Sequence, residues 1–157
     1  MCISVFALIR ESDRVLVGLP ERHERWLSEW IPAWRSYPKE DYDDVFRQWR
    51  LPSGYLCEGE HPDVCMNRVM REQVGAEKFD AAPAHVLSYT SPSDWYPGNE
   101  HWDIVFVYEI SLRQPVKRAP WWKELQFMGR TELKDARFGW NDDLMMDLGL
   151  VDPQDGV

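Results

Sequence analysis

With 157 residues, 44% of them hydrophobic and 29% charged, the chain is long enough to bury one substantial core and too short for two comfortable ones. A formal net charge of −9 argues against tracking a bare phosphate backbone, which needs clustered Lys and Arg, so no binding along nucleic acid is expected. Cys2, Cys57 and Cys65 form no metal spacing among themselves and cannot all pair, which favours a reducing, cytoplasmic setting. The apolar opening from Ile3 to Ile9 lacks a basic leader and is too short to cross a bilayer.

In chain order, residues 2–10 and 14–19 flank the polar turn Glu11-Ser12-Asp13 and predict a hairpin. Residues 21–50 form an acidic, aromatic insertion in which Trp26, Trp30 and Trp34 recur every four residues, predicting a short amphipathic helix that Pro38 ends. Those tryptophans could stack on a nucleobase, at about 1 to 3 kcal/mol per base. A core-facing stripe or the seam of a homodimer is the favoured reading. Arg25, Arg35, Arg47 and Arg50 nearby are candidates for phosphate contacts.

Pro62 predicts the start of a helix and Gly75 its end. Strands follow at about 84–90 and 102–112, separated by the turn-rich segment 91–99. Residues 119–138 are expected to hold one or two more strands. A final helix near 141–148 has Asn141 or Asp142 as its N-cap and closes at Gly149. Residues 1–157 therefore read as a single domain of α+β class, a mixed sheet between helices.

The helix at 62–75 belongs to a longer pattern. Gly54-Tyr-Leu-Cys-Glu-Gly-Glu60 is followed, seven residues later, by Arg68-Val-Met-Arg-Glu72-Gln-Val-Gly75, with Leu51-Pro52 ahead of it. This resembles the Nudix box, G-x5-E-x7-R-E-U-x-E-E-x-G-U with U apolar. Gly54, Glu60, Arg68, Met70, Glu72 and Gly75 fall on their places. Val69 and Gln73 stand where the family carries glutamates, and Ala76 is a small substitute for the last apolar residue.

The resemblance implies an α/β/α sandwich and a hydrolase, or pyrophosphatase, of nucleoside diphosphates linked to another group, dependent on Mg2+ or Mn2+. It assigns Glu72, Arg68 and Glu60 to catalysis and its support, and the Gly54 carbonyl and Glu72 to the metal. Such enzymes often draw a further acid from beyond the box, for which Glu100 is the first candidate and Asp103 another, with the neighbouring His101 as a base or ligand; Glu58, within the box loop, is a further candidate ligand. No substrate-binding residue is identified. A G-x-S-x-G elbow, a phosphate-cradling glycine loop and a Cys-x-x-Cys pair are all missing from the sequence.

The two departures carry a physical consequence. Residues 69, 72 and 73 are related by steps of three and four, so on a regular helix they share one face. Three carboxylates there would suit Mg2+, a hard cation that prefers oxygen ligands. With valine and glutamine, the charge available to a cation falls from about −3 to about −1, which weakens its attraction severely. The expected function is therefore a Nudix-like protein with weakened or lost hydrolysis that still binds a nucleotide-like small molecule. The alternatives are an active hydrolase using substitute ligands, and a module that recognises a protein partner.

Overall fold

The structure, a computed structural model, describes residues 1–23, 46–92, 100–138 and 141–152. Strand β1 (Cys2–Glu11) turns through Ser12, at φ +56°, into β2 (Arg14–Pro20), as the polar turn predicts. After β3 (Ser53–Tyr55) comes helix α1 (Pro62–Val69), which widens without a break into a π-helical turn at Met70–Val74. Then follow β4 (Phe79–Pro92), β5 (Glu100–Leu112), β6 (Trp122–Met128) and two short helices, α2 (Arg130–Asp135) and α3 (Asp142–Asp147).

β1 organises the sheet. It pairs in parallel with β5 from Cys2 opposite Asp103 to Ile9 opposite Ile110, and antiparallel with β3 through Ser4, Val5 and Phe6. Its far end joins β2, giving the order β4-β5-β1-β2-β6 with β3 beside β1. Because both faces of β1 are covered, it reads as an apolar run rather than an apolar–polar alternation.

Successive side chains of a strand point to opposite faces. Phe6 and Leu8 pack with Val105, Val107, Trp121 and Trp122 beneath Leu133 of α2 and Leu144 and Met145 of α3. Val5, Ala7 and Ile9 pack instead with Cys65, Met66, Val69, Met70 and Val74 of the α1 segment. Helices thus cover both faces of a six-stranded mixed sheet, the sandwich expected from the order of elements.

Both ends of the α1 segment follow from local chemistry. At its start Pro62 occupies the first turn, His61 Nδ1 accepts the Asp63 backbone N–H at 3.3 Å, and Tyr108 Oη donates to Asp63 at 2.6 Å. At its end Gly75 adopts φ +65°, a conformation that costs glycine little, and the Ala76 N–H closes back on the Met70 carbonyl.

Elsewhere the elements differ from the sequence reading. The strands expected at 84–90 and 102–112 extend to Phe79–Pro92 and Glu100–Leu112, since their mutual pairing continues past the strongly β-prone core. Residues 119–138 hold one strand and the short helix α2. The last helix begins after Asn141, whose side chain makes no capping bond, and Gly149 follows it at φ +64°. The helix expected around Trp26, Trp30 and Trp34, and most of the turn segment at 91–99, lie outside the described residues. Among the described residues no helix is long and apolar enough to cross a membrane.

Candidate functional site

The loop from Gly54 to Glu60 is held against α1 by an ionic fork. Arg68 donates from Nε to Glu60 Oε1 at 3.1 Å and from Nη2 to Glu60 Oε2 at 3.0 Å. The same Nη2 donates to the Tyr55 carbonyl at 2.9 Å, and Glu60 Oε2 also accepts the Cys57 backbone N–H at 2.9 Å. A planar guanidinium meeting a carboxylate along two bonds is among the stronger polar contacts, and here both partners are largely shielded from water. The hydrogen bond from Arg68 holds the Glu60 carboxyl below its ordinary range, and the same bond raises the Arg68 guanidinium above its own. Beside them burial pushes the Cys65 thiol up to about 12, so it is a protonated packing group.

Val69 and Gln73, the two departures from the box, both turn inward. Val69 is 1% exposed and belongs to the core between α1 and the sheet. Its Cγ2 would lie 3.1 Å from a Cβ placed on Gly54, so the absence of a side chain at Gly54 lets the loop close on the helix. The Gly54 carbonyl, which the resemblance assigns to a metal, accepts a long hydrogen bond of 3.8 Å from the Cys65 thiol.

Gln73 is 2% exposed and grips the backbone of Ser53 at two points. Its Oε1 accepts the Ser53 N–H at 3.1 Å and its Nε2 donates to the Ser53 carbonyl at 2.7 Å, the pattern a neighbouring strand would offer. The backbone carbonyl of Gln73 in turn accepts the Trp122 indole N–H at 2.8 Å. This residue ties the π turn to β3 on one side and β6 on the other.

Glu72 differs from both. Its side chain is 24% exposed and lies 3.9 Å from Arg71 Nη2. The structure therefore brings Glu60 and Arg68 together, and places Glu72 nearer solvent than Val69 and Gln73, which are committed to the core and to Ser53. Glu58 and Glu100 are exposed, Glu100 at the first residue of β5. Asp103 and His101 pair at 2.9 Å and, sharing the parity of Val105 and Val107, stand on the sheet face opposite α1. Of the four arginines proposed for phosphates, Arg25 and Arg35 lie outside the described residues, Arg47 is exposed and Arg50 is buried, where desolvation lowers its guanidinium to about 10.

A dication at the box would meet one carboxylate from the helix, a buried methyl-bearing side chain at 69, and an amide at 73 with both polar atoms already bonded. These residues do not fit a Mg2+ site. Among the described residues, the one group of three or more His, Cys, Asp or Glu side chains close enough to share an ion lies elsewhere, at Cys2, His101 and Asp103. The sequence reading considered His101 and Asp103 but not Cys2, which only the pairing of β1 with β5 brings alongside them.

A mixed sheet between helices, with a glycine-led loop clamped by Glu60 to Arg68 of the helix that follows, defines the class of α/β/α sandwich to which the chain conforms. Among solved structures it is similar to the MutT mutator protein from Bacillus halodurans, at 14% identity and a TM-score of 0.63 over 96% of this chain and 82% of that one. It is similar also to the Nudix domain of Shewanella oneidensis NrtR complexed with ADP ribose, at 12% identity and a TM-score of 0.62 over 94% and 84%. A third is the E. coli dihydroneopterin triphosphate pyrophosphohydrolase, at 12% identity and a TM-score of 0.59 over 94% of each chain. The chain has the Nudix fold. No protein-family model matches the sequence, and no curated protein matches it.

Proposed function

We propose that this protein is a Nudix-fold binding module for a nucleotide-like small molecule, a nucleoside diphosphate derivative, in which metal-dependent hydrolysis is weak or lost. The observation that carries this reading is the side chain of Gln73, which spends its amide on the Ser53 backbone where the family pattern has an acid. Val69 adds to it by filling the core at the other replaced position. Glu72 and the Gly54 carbonyl would be left to hold Mg2+ or Mn2+, too little anionic oxygen for a cation that binds through carboxylates and phosphate oxygens.

What survives is the support. The Glu60–Arg68 fork holds the loop to the helix irrespective of any chemistry, and a scaffold of this kind can bind a ligand that it does not cleave. The Nudix domain of NrtR, in complex with ADP ribose, supports the ligand class proposed. The net charge of −9 disfavours long polyanions while leaving room for a single screened diphosphate.

The test is a panel of nucleotide sugars, dinucleoside polyphosphates, ADP-ribose and nucleoside triphosphates, incubated with the protein and Mg2+ or Mn2+. Little or no release of phosphate or pyrophosphate above the protein-free control is expected. At least one nucleoside diphosphate derivative should raise the melting temperature, because a ligand selective for the native state stabilises it. Metal-dependent turnover that Glu72→Gln abolishes would instead establish an active hydrolase with substitute ligands. Absence of any thermal shift across the panel would remove the nucleotide reading.

A further inference from the structure

On the sheet face opposite α1, β1 and β5 begin side by side. Their parallel register sets Cys2 opposite Asp103, so Cys2, Ser4 and Phe6 share a face with His101, Asp103 and Val105. Phe6 and Val105 belong to the buried core on that face, and the three polar residues continue it towards the strand ends. There one ligand atom from each of Cys2, His101 and Asp103 lies within 4.8 Å of the other two, all three residues being partly buried. His101 Nε2 and Asp103 Oδ1 are 2.9 Å apart.

We propose that Cys2, His101 and Asp103 form a binding site for a zinc-class divalent cation, with one coordination position left for water or an exogenous ligand. A sulfur, an imidazole nitrogen and a carboxylate oxygen form a borderline-soft donor set, which suits Zn2+ and its neighbours and suits Mg2+ poorly. In a tetrahedral shell with bonds of about 2.0 to 2.3 Å, donor atoms stand roughly 3.3 to 3.6 Å apart. The His101–Asp103 contact would open slightly and the widest separation would close, movements within reach of side-chain rotation.

The scaffold is well placed for this. All three donors come from two hydrogen-bonded strands in fixed register, so their backbone positions are held without a metal. Three protein ligands with an open fourth place is the arrangement of zinc sites that handle a bound molecule, whereas purely structural sites are closed. None of these residues belongs to the box, so the site stands whether or not hydrolysis survives there.

The test uses the full chain, stripped by chelator, with Co2+ as a spectroscopic stand-in for Zn2+. One Co2+ per chain should bind, giving a thiolate-to-cobalt charge-transfer band in the near ultraviolet and the intense visible bands of tetrahedral coordination. Zn2+ should abolish both spectra, and excess Mg2+ should leave them unchanged. Cys2→Ser should remove the charge-transfer band, whereas Cys57→Ser should retain it. His101→Ala and the nearly isosteric Asp103→Asn should each weaken Co2+ binding at least about tenfold. Failure of the wild-type protein to develop a thiolate band overturns the site. So does a band that survives Cys2→Ser, or an affinity unchanged in both His101→Ala and Asp103→Asn.

Discussion

Replacing Gln73 by glutamate restores the family's residue with almost no change in shape, and the structure predicts that it destabilises the protein. The substitution keeps an oxygen to accept the Ser53 N–H, but exchanges the Nε2 donor, 2.7 Å from the Ser53 carbonyl, for a second oxygen. An ionised carboxylate would press against that carbonyl in a site only 2% exposed. Losing the bond and leaving a buried acceptor unsatisfied costs about 1 to 3 kcal/mol. For a chain of this size that corresponds to a fall in melting temperature of roughly 3 to 10 °C.

The pH dependence makes the prediction sharper. A protonated carboxyl can donate to the Ser53 carbonyl, so the folded state favours the proton and raises the new group's pKa above its unfolded value of about 4.3. With about 1.36 kcal/mol per unit, a penalty near 2 kcal/mol places the folded value roughly 1.5 units higher. A group raised in this way contributes its stability below the unfolded pKa and loses it as pH rises through the folded one. Denaturant titrations of Gln73→Glu and wild type should therefore differ most above about pH 7 and converge only below the unfolded pKa, at about pH 4. A Gln73→Glu protein as stable as wild type at neutral pH would refute the claim that Gln73 is clamped to Ser53.

Other perturbations address neighbouring parts of the argument. The double substitution Val69→Glu with Gln73→Glu should cost more stability than either change alone, since Val69 is 1% exposed, and saturating Mn2+ should restore part of the loss. A melting temperature indifferent to Mn2+ would mean that these positions do not border a cation-accessible surface. Glu60→Gln should lower stability by about 1 to 3 kcal/mol at neutral pH, measured by urea denaturation. Because Arg68 depresses the Glu60 carboxyl, its contribution is present above the unfolded carboxylate pKa and is lost as pH falls through the folded one, so the Glu60→Gln deficit should shrink in acid. Gly75→Ala should cost at least about 1 kcal/mol by thermal denaturation, since the backbone stands at φ +65° and a Cβ would meet that of Lys117 at 3.0 Å.

What the amino-acid sequence determined by itself was local. The hairpin around Glu11-Ser12-Asp13 and the helix between Pro62 and Gly75 follow from turn chemistry and capping within a few residues, and the resemblance to the Nudix box singles out Glu60 and Arg68, which the structure pairs. So does the identity of the box positions that lack an acid. Only tertiary structure decided what those positions do instead. Val69 meets Gly54 and Gln73 meets Ser53 because the segment before the loop adds the three-residue strand β3 to β1, a strand too short to show any periodicity. Tertiary structure also set Cys2 beside Asp103, since the parallel register of β1 and β5 joins segments far apart in the chain. Local signals are legible because they depend on neighbours in sequence, whereas a polar contact across a sheet depends on register, which the burial of two opposing faces selects for the molecule as a whole.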